Sequence, residues 1–343
     1  MEGFVAPAYG ESSLGDVVPA VGRALGVGVP TGTVDPTGLV LPEAASYVVF
    51  LVDGLGSRLL ERYAHAAPYL SSLRSVAPSA TAGVPSTTAT SLTSLGTGLV
   101  PGAHGVVGFT SRIPGTDRLL NALFWDKDVD PLEWQPHPTA FAGLRSAGVS
   151  VTVVNKREFG GSGLTVAAHR GADYVGADKV GERIAAAVTA CADRPSLTYL
   201  YDGDLDWTGH RYGVASSQWL QQLAIIDAEA EQLREALPPS VRLVVVADHG
   251  MVDSPPEARI DVDTVTELRD GLALFGGEAR FRQLYCQRGA VGTGVLPRIG
   301  DVVAACHGDH AILSTAEWGY EATLVGLHGS LTPEEMLIPV LVD

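Results

Sequence analysis

Cysteine is the first residue type that the sequence has little of. The 343 residues include three cysteines, Cys191, Cys286 and Cys306, which are an odd number, widely spaced and without a Cys-x-x-Cys pair. Small secreted domains that depend on disulfide bonds carry cysteine at a much higher density and in even numbers. We therefore expect free thiols in a reducing compartment rather than a disulfide framework.

Basic residues are also scarce. Lys and Arg together number 23 against 39 Asp and Glu, which gives a formal net charge of −16 at pH 7. This charge disfavours a nucleic-acid polymer or an anionic membrane as the partner, because both carry negative charge themselves. It does not exclude a small phosphate ester, since bound metal ions reverse the local field.

Long apolar runs are absent as well. No uninterrupted apolar stretch approaches the roughly 20 residues that a helix needs to cross a bilayer. The first residues lack a basic segment followed by a continuous apolar one, so no signal peptide is expected. With the few cysteines, these absences predict a cytoplasmic protein that does not bind a membrane.

The remaining composition, 46% hydrophobic and 18% charged residues, is typical of a compact globular protein. Short apolar runs alternate with helical segments, which predicts an α/β fold with a central, mostly parallel sheet sandwiched by helices. Residues 253–318 break the alternation, so we expect a small antiparallel insertion there, within a single domain over residues 1–343. The aromatic and acidic residues 119–138 are expected to form a surface excursion that walls a pocket.

Three predicted strands end in acidic residues or histidines. The carboxyl ends of parallel strands meet at one edge of a sheet, where ligands bind. We therefore expect these side chains to assemble one metal site. They are Asp53 after residues 47–52, Asp206 and His210 after residues 197–201, and Asp248 and His249 after residues 241–247.

The chemistry of these side chains suits transition-metal ions. Asp206 and His210 are four residues apart, so one helical turn brings both to a single ion. His328, between glycines late in the chain, supplies a further imidazole. The mixed nitrogen and oxygen set favours zinc, with manganese and iron as alternatives. Three carboxylates and three histidines are more ligands than one tetrahedral ion can bind, and their number suits two neighbouring divalent ions.

Each of these residues alone also has a structural explanation. An Asp-Gly pair after a strand is typical of a turn, and a single His is more often a core or surface residue than a ligand. The metal-site hypothesis depends on the recurrence of such residues at several strand ends of one chain.

Hydroxyl side chains are concentrated in residues 85–97. One explanation is a helix with Ser or Thr capping its N-terminus. The alternative is a nucleophile at that N-terminus, where free N–H groups and the helix dipole favour an anionic phosphate.

Five motifs follow one another along the chain. They are strand-Asp53-Gly54, a hydroxyl residue ten positions before Gly98 with Pro101 and His104-Gly105 after it, Asp206-x3-His210, Asp248-His249-Gly250 and Gly326-Leu327-His328-Gly329. In this order they resemble the alkaline phosphatase superfamily, and within it the type I phosphodiesterase/nucleotide pyrophosphatase family. The resemblance spans residues 47–343. It implies the superfamily's central sheet between helices, with a variable cap inserted between the Asp-His pair and the last His.

The resemblance also implies a role for each site residue by its position. Thr88 stands ten residues before Gly98 and is the expected nucleophile, whereas an error of one in the register would make it Thr87. One ion would be held by Asp206, His210 and His328, and the other by Asp53, Asp248, His249 and Thr88.

Three positions bear on the substrate. Tyr201 stands where phosphomonoesterases of the superfamily carry a Glu that binds a third ion, magnesium, so the resemblance implies the two-metal site of a diesterase. Ala89 replaces the aromatic residue that stacks on a base in the diesterases. Phe109 replaces, in an ungapped register, the Asn that binds a phosphoryl oxygen. All three are expected at the substrate.

The resulting hypothesis is a two-metal phosphodiesterase or nucleotide pyrophosphatase. It would hydrolyse phosphodiester or pyrophosphate bonds of a small molecule through a phospho-threonine intermediate. The alternatives are a two-metal phosphomonoesterase, a phosphonate hydrolase and a non-catalytic metal-binding protein. A sulfatase is disfavoured, because the region of Thr88 lacks a Cys or Ser in a Cys/Ser-x-Pro-x-Arg context.

Overall fold

The computed structural model describes residues 3–28, 38–287 and 298–343 of the protein. The predicted domain and insertion also include residues 1–2, 29–37 and 288–297, which lie outside the described residues. The strands are β1 Ser46–Val52, β2 Arg74–Ser75, β3 Thr110–Arg112, β4 Leu119–Asn121, β5 Ser150–Asn155, β6 Asp173–Gly176, β7 Ser196–Asp202, β8 Val241–Val246, β9 Val252–Asp253, β10 Arg259–Asp261, β11 Leu272–Glu278, β12 Phe281–Cys286, β13 Val302–Ala305, β14 Ala311–Leu313, β15 Gly326–Leu327 and β16 Val340–Val342.

Helices fill most of the connections between these strands. The α-helices are α1 Val17–Ala24, α2 Ser57–Arg62, α3 Pro68–Ser72, α4 Thr88–Thr97, α5 Pro101–His104, α6 Pro131–Trp134, α7 Ala140–Ser146, α8 Gly163–His169, α9 Val180–Ala190, α10 Asp204–Tyr212, α11 Ser217–Ala236 and α12 Pro333–Met336. Short 3-10 helices span Leu14–Asp16, Ala64–Ala66, Arg157–Phe159, Pro256–Ala258, Val262–Thr264, Thr266–Leu268 and Gly319–Thr323.

A seven-stranded sheet forms the centre of the fold, in the order β2-β16-β8-β1-β7-β5-β6. The predicted mostly parallel sheet is confirmed, since β8, β1, β7, β5 and β6 all run parallel and β16 is antiparallel to β8. All seven residues of β1 are buried, which explains the unbroken apolar run over residues 47–52. The register pairs Val52 with Asp202 and Leu51 with Val246. The ends of β1, β7 and β8 therefore lie level at one edge.

The longest helix, α11, shows why the helices pack as they do. Its buried residues include Trp219, Leu223, Ile226, Ala230 and Leu233, whose spacing of three or four residues lines up one apolar face. Elsewhere α9 contacts β5 and β7, α7 contacts β5, and α4 packs against α8. No helix in the described part of the chain is both long enough and apolar enough to cross a bilayer.

An antiparallel three-stranded sheet, β11-β12-β13, lies in the sequence between the Asp248-His249 pair and His328. Arg280 at its hairpin is fully buried and forms two bonds to Glu335 of α12, Nε to Oε1 at 2.7 Å and Nη2 to Oε2 at 2.8 Å. Oε1 of Glu335 also accepts a hydrogen bond from the backbone N–H of Ser330 at 3.0 Å. One buried carboxylate thus ties the insertion to the segment that carries His328.

Candidate active site

The first cluster of the candidate site contains Asp53, Asp248 and His249, all buried, with ligand atoms within 4.8 Å of one another. These residues directly follow β1 and β8, which are neighbours in the sheet. Nε2 of His249 lies 3.3 Å from Oδ1 of Asp53 and 3.5 Å from Oδ2 of Asp248. The level ends of two buried strands therefore bring two carboxylates and an imidazole together.

The second cluster contains Asp206, His210 and His328, whose ligand atoms also lie within 4.8 Å of one another. Asp206 and His210 are one turn apart on α10, and Nε2 of His210 lies 3.3 Å from Oδ2 of Asp206. His328 follows β15 and places its Nε2 3.8 Å from Oδ1 of Asp206. All six predicted carboxylate and imidazole ligands thus fall into two clusters, and the rings of His249 and His328 stack between them.

Backbone carbonyls orient all three imidazoles. Nδ1 of His210 lies 2.7 Å from the carbonyl oxygen of Gly326, and Nδ1 of His328 lies 2.9 Å from that of Ser86. Nδ1 of His249 lies 2.9 Å from the carbonyl oxygen of its neighbour Gly250. A carbonyl accepts but does not donate, so each Nδ1 carries the proton and each Nε2 presents a lone pair to its cluster.

The clusters bring three carboxylates together, and none of the three forms an ion pair with Lys or Arg in the described structure. Oδ1 of Asp53, Oδ1 of Asp206 and Oδ2 of Asp248 are buried without a hydrogen-bond partner in the described structure. Burial, followed by repulsion from Asp248 and Asp206, raises the pKa of Asp53 well above its usual range. Burial and then Asp206 raise the pKa of Asp248 to about 7. Unpaired carboxylate oxygens beside imidazole lone pairs are the donor set that a divalent cation requires, so the residues present fit two such ions.

Thr88 is the first residue of α4, and its Oγ1 lies 3.3 Å from Oδ2 of Asp53 and 3.3 Å from Nε2 of His249. Ser91, one turn along α4, donates a hydrogen bond of 2.9 Å to the carbonyl oxygen of Asp248, which fixes the helix against the end of β8. Thr87 precedes the helix and bonds Glu278 instead. Of the two threonines, Thr88 is thus the one beside the first cluster.

A cavity of about 1030 Å³ opens above the clusters. Thr88 and the three residues of the second cluster are part of its lining, whereas the first cluster lies beneath Thr88. Five of the other lining residues are aromatic. The aromatic lining residues are Phe109, Phe124, Trp207, Trp318 and Tyr320. The cavity therefore has room for a large apolar or planar group next to the Thr88 hydroxyl.

The three predicted substrate contacts have different surroundings. Phe109 lines the cavity. Ala89 is completely buried in the hydrophobic core, because the first turn of α4 directs residue 89 away from Thr88. Tyr201 is not part of the described cavity lining, and its hydroxyl donates a 2.5 Å hydrogen bond to Oδ2 of Asp53. Burial, and then the negative charge of Asp53, raises the pKa of Tyr201 well above its usual range.

The cavity lining includes polar residues that were not predicted from the sequence, and Asn121 and Glu278 are two of them. Asn121 lines the cavity because the β3-β4 hairpin folds back and pairs Asn121 with Thr110, next to Phe109. Its side-chain oxygen accepts from the N–H groups of Leu123 and Phe124 at 3.0 and 3.2 Å. The sequence predicted a pocket wall over residues 119–138, and this range contains Asn121.

Glu278, at the end of β11, is the second unpredicted residue. Its Oε2 lies 3.7 Å from Nδ1 of His328, and its Oε1 has no hydrogen-bond partner in the described structure. Gly329 makes room for it, since a Cβ atom at residue 329 would lie 2.7 Å from Cγ of Glu278. No sequence pattern in the insertion indicates that Glu278 reaches the site.

Comparison with solved structures agrees with the observed fold. Murine ectonucleotide pyrophosphatase/phosphodiesterase 5 superposes with a TM-score of 0.66, covering 87% of this chain and 87% of that chain, at 17% sequence identity. This similarity shows an alkaline phosphatase-like fold, as the resemblance implied.

Curated relatives are found among snake venom proteins. Venom phosphodiesterase 2 of Crotalus adamanteus is 27% identical over 222 residues, which are 61% of this chain and 27% of the snake protein. Venom phosphodiesterase of Macrovipera lebetinus is 26% identical over 222 residues, which are 61% of this chain and 26% of that protein. The chain thus matches about a quarter of the length of these relatives.

The sequence model of one protein family, type I phosphodiesterase/nucleotide pyrophosphatase, matches residues 47–294. This range covers most of the chain and includes β1, α4, α10 and the end of β8, which carry all but the last of the clustered residues. The predicted family is therefore confirmed: the chain belongs to the type I phosphodiesterase/nucleotide pyrophosphatase family.

Proposed function

We propose that this protein hydrolyses phosphodiester or pyrophosphate bonds in small phosphate esters, with two divalent cations and Thr88 as the nucleophile. The observation that carries the proposal is the position of Thr88 Oγ1, 3.3 Å from both Asp53 and His249, on the floor of the cavity that the second cluster lines. Family membership supports the reaction class.

The two clusters would hold the two cations. Asp53, Asp248, His249 and Thr88 would bind one, and Asp206, His210 and His328 the other. Carboxylate oxygen and imidazole nitrogen favour zinc, with manganese and iron as alternatives. Such cations, when bound, lower the pKa of a neighbouring hydroxyl and neutralise charge that develops on the phosphoryl oxygens.

Thr88 performs the covalent step. Its Oγ1 forms a bond to phosphorus while the bond from phosphorus to the leaving oxygen breaks, which gives phospho-threonine and releases the first product. The hydroxyl proton passes to Oδ2 of Asp53, which lies 3.3 Å from Oγ1 of Thr88. Water then cleaves the bond from phosphorus to Oγ1, which releases the second product and restores Thr88.

Asn121 and the aromatic wall would position the substrate. We assign to Asn121 the hydrogen bond to a phosphoryl oxygen that the ungapped register placed at Phe109, because Asn121 lines the same cavity and carries an amide. The aromatic residues would hold the second substituent of a diester. Tyr201 argues for diesters as well, since a neutral phenol is a poor ligand for the third, hard cation of a monoesterase.

A comparison of diesters and monoesters tests this function. With bis-p-nitrophenyl phosphate and p-nitrophenyl phosphate at neutral pH, the diester should have the higher kcat/KM. A preference of more than about tenfold for the monoester, roughly 1.4 kcal/mol, would refute the diesterase and leave a two-metal phosphatase. A nucleotide p-nitrophenyl ester and a phosphonate in the same panel would narrow the substrate class.

A pair of variants tests the nucleophile. Thr88→Ala should abolish turnover of the preferred ester and keep the fold, because residue 88 is the first residue of α4 and not its N-cap, and Ala is a good helix former. Thr87→Ala is the matched control and should keep much of the activity. The opposite result would move the nucleophile to Thr87 and show that the register is wrong by one residue.

A further inference from the structure

Tyr201 contacts the carboxylate of Asp53. Asp53 follows β1, and Tyr201 lies near the end of the neighbouring parallel strand β7, where it pairs with Leu51 of β1. The hydroxyl of Tyr201 donates a 2.5 Å hydrogen bond to Oδ2 of Asp53. The backbone N–H of Asp53 also donates to the carbonyl oxygen of Asp202 at 2.9 Å, so main chain and side chain tie the two strand ends together.

The two oxygens of Asp53 have different surroundings. Oδ2 accepts from Tyr201 and lies 3.3 Å from the hydroxyl of Thr88. Oδ1 has no hydrogen-bond partner in the described structure and lies 3.3 Å from Nε2 of His249. The terminal torsion of an Asp side chain is soft and nearly two-fold, so the chain itself does not decide which oxygen faces the cluster. In this structure Oδ2 accepts from Tyr201, and Oδ1 is the oxygen that lies next to Nε2 of His249.

We propose that Tyr201 is a positioning residue that orients Asp53, so that Oδ1 is presented to a cation bound by Asp53, Asp248 and His249. This inference rests on the proposed function, which supplies the cation. Tyr201 would act through Asp53 alone, since Tyr201 is not part of the described cavity lining. Residues that orient a metal ligand typically contribute 10–100-fold to metal affinity.

The chain offers a matched control two residues earlier on the same strand. Tyr199 is buried in β7, whereas Tyr201 is partly buried, and the hydroxyl of Tyr199 has no hydrogen-bond partner in the described structure. Tyr201→Phe and Tyr199→Phe each remove one phenolic oxygen from β7 and keep the ring. They differ in whether that oxygen touches a carboxylate of the cluster.

The test is a zinc titration of the metal-free full chain in competition with a chromogenic chelator. Wild type should bind two zinc ions. Tyr201→Phe should weaken one of the two sites by about 10–100-fold and leave the other within about threefold. Tyr199→Phe should leave both sites within about threefold of wild type. At saturating zinc the kcat of Tyr201→Phe should recover to within about threefold, whereas a catalytic role would leave it low.

Asp53→Asn provides the second variant, because it alters the acceptor and keeps the shape of the side chain. In the Asp53→Asn background, Tyr201→Phe should cause no further loss of zinc affinity. Unchanged zinc affinity in Tyr201→Phe, equal losses in Tyr201→Phe and Tyr199→Phe, or additive losses with Asp53→Asn would each overturn the inference. A wild-type protein that binds no zinc would instead refute the proposed function itself. Thermal unfolding of the metal-free variants shows whether each is folded.

Discussion

His169, the last residue of α8, is a buried imidazole that the proposed chemistry does not use, and it makes the stability of the fold sensitive to acid. Its ring lies between Phe141 and Tyr199, at centroid distances of 5.8 and 5.0 Å. It is 4% exposed, and neither ring nitrogen has a hydrogen-bond partner in the described structure. Burial lowers the pKa of His169 from 6.5 to about 4, because the charged ring would have no water around it.

The direction of the effect follows from proton binding. The unfolded chain takes up a proton at residue 169 as the pH falls below 6.5, whereas the folded chain does so only near pH 4. The contribution of His169 to stability is therefore fully present above pH 6.5 and is lost as the pH falls towards 4. By linkage, the loss between about pH 7.5 and about pH 5 is roughly 2 kcal/mol.

His169→Leu removes the titrating group and keeps an apolar side chain of similar size. Urea unfolding of the metal-free proteins at both pH values should show that the variant loses about 2 kcal/mol less stability than wild type on acidification. Other buried groups titrate equally in both proteins, so they cancel in this difference. His65→Gln, which alters an exposed imidazole, is the control and should behave as wild type. The same pH dependence in His169→Leu and wild type would refute the burial of a neutral ring.

Two further predictions concern the metal centre and the packing of α4. His328→Ala should reduce the metal content measured by mass spectrometry from two ions to one, and full occupancy would remove His328 from the site. Gly96→Ala should destabilise the protein by about 1–3 kcal/mol in urea, because a Cβ atom there would lie 1.9 Å from the carbonyl oxygen of Ala168. Gly181→Ala in α9 has open space around it and should stabilise by about 0.5–1 kcal/mol; a stable Gly96→Ala protein would contradict the close approach of α4 to α8.

The sequence alone determined the location of the site. Parallel strands buried on both faces require unbroken apolar runs, so the positions where the runs stop in Asp53 and Asp248 mark one edge of one sheet. The spacing of Asp206 and His210 placed both on one turn of a helix, and the order of the motifs indicated the family. These features are local in the chain, which is why they can be predicted from the sequence alone.

Only the tertiary structure decided how the site is completed. The resemblance implied which residues share each ion, but the distances within the two clusters depend on the register of β1 with β7 and β8. The orientation of two imidazoles depends on the carbonyl groups of Gly326 and Ser86. Asn121 lies at the cavity because a hairpin folds back, and Glu278 because it ends β11. Counting residues from Thr88 in an ungapped register finds neither of them. Tyr201 is predicted to contact the substrate, yet its hydroxyl bonds Asp53. The contacts of a side chain near the end of a strand depend on which strand lies beside it. Contacts between residues distant in sequence depend on packing, which residue patterns along a single chain do not specify.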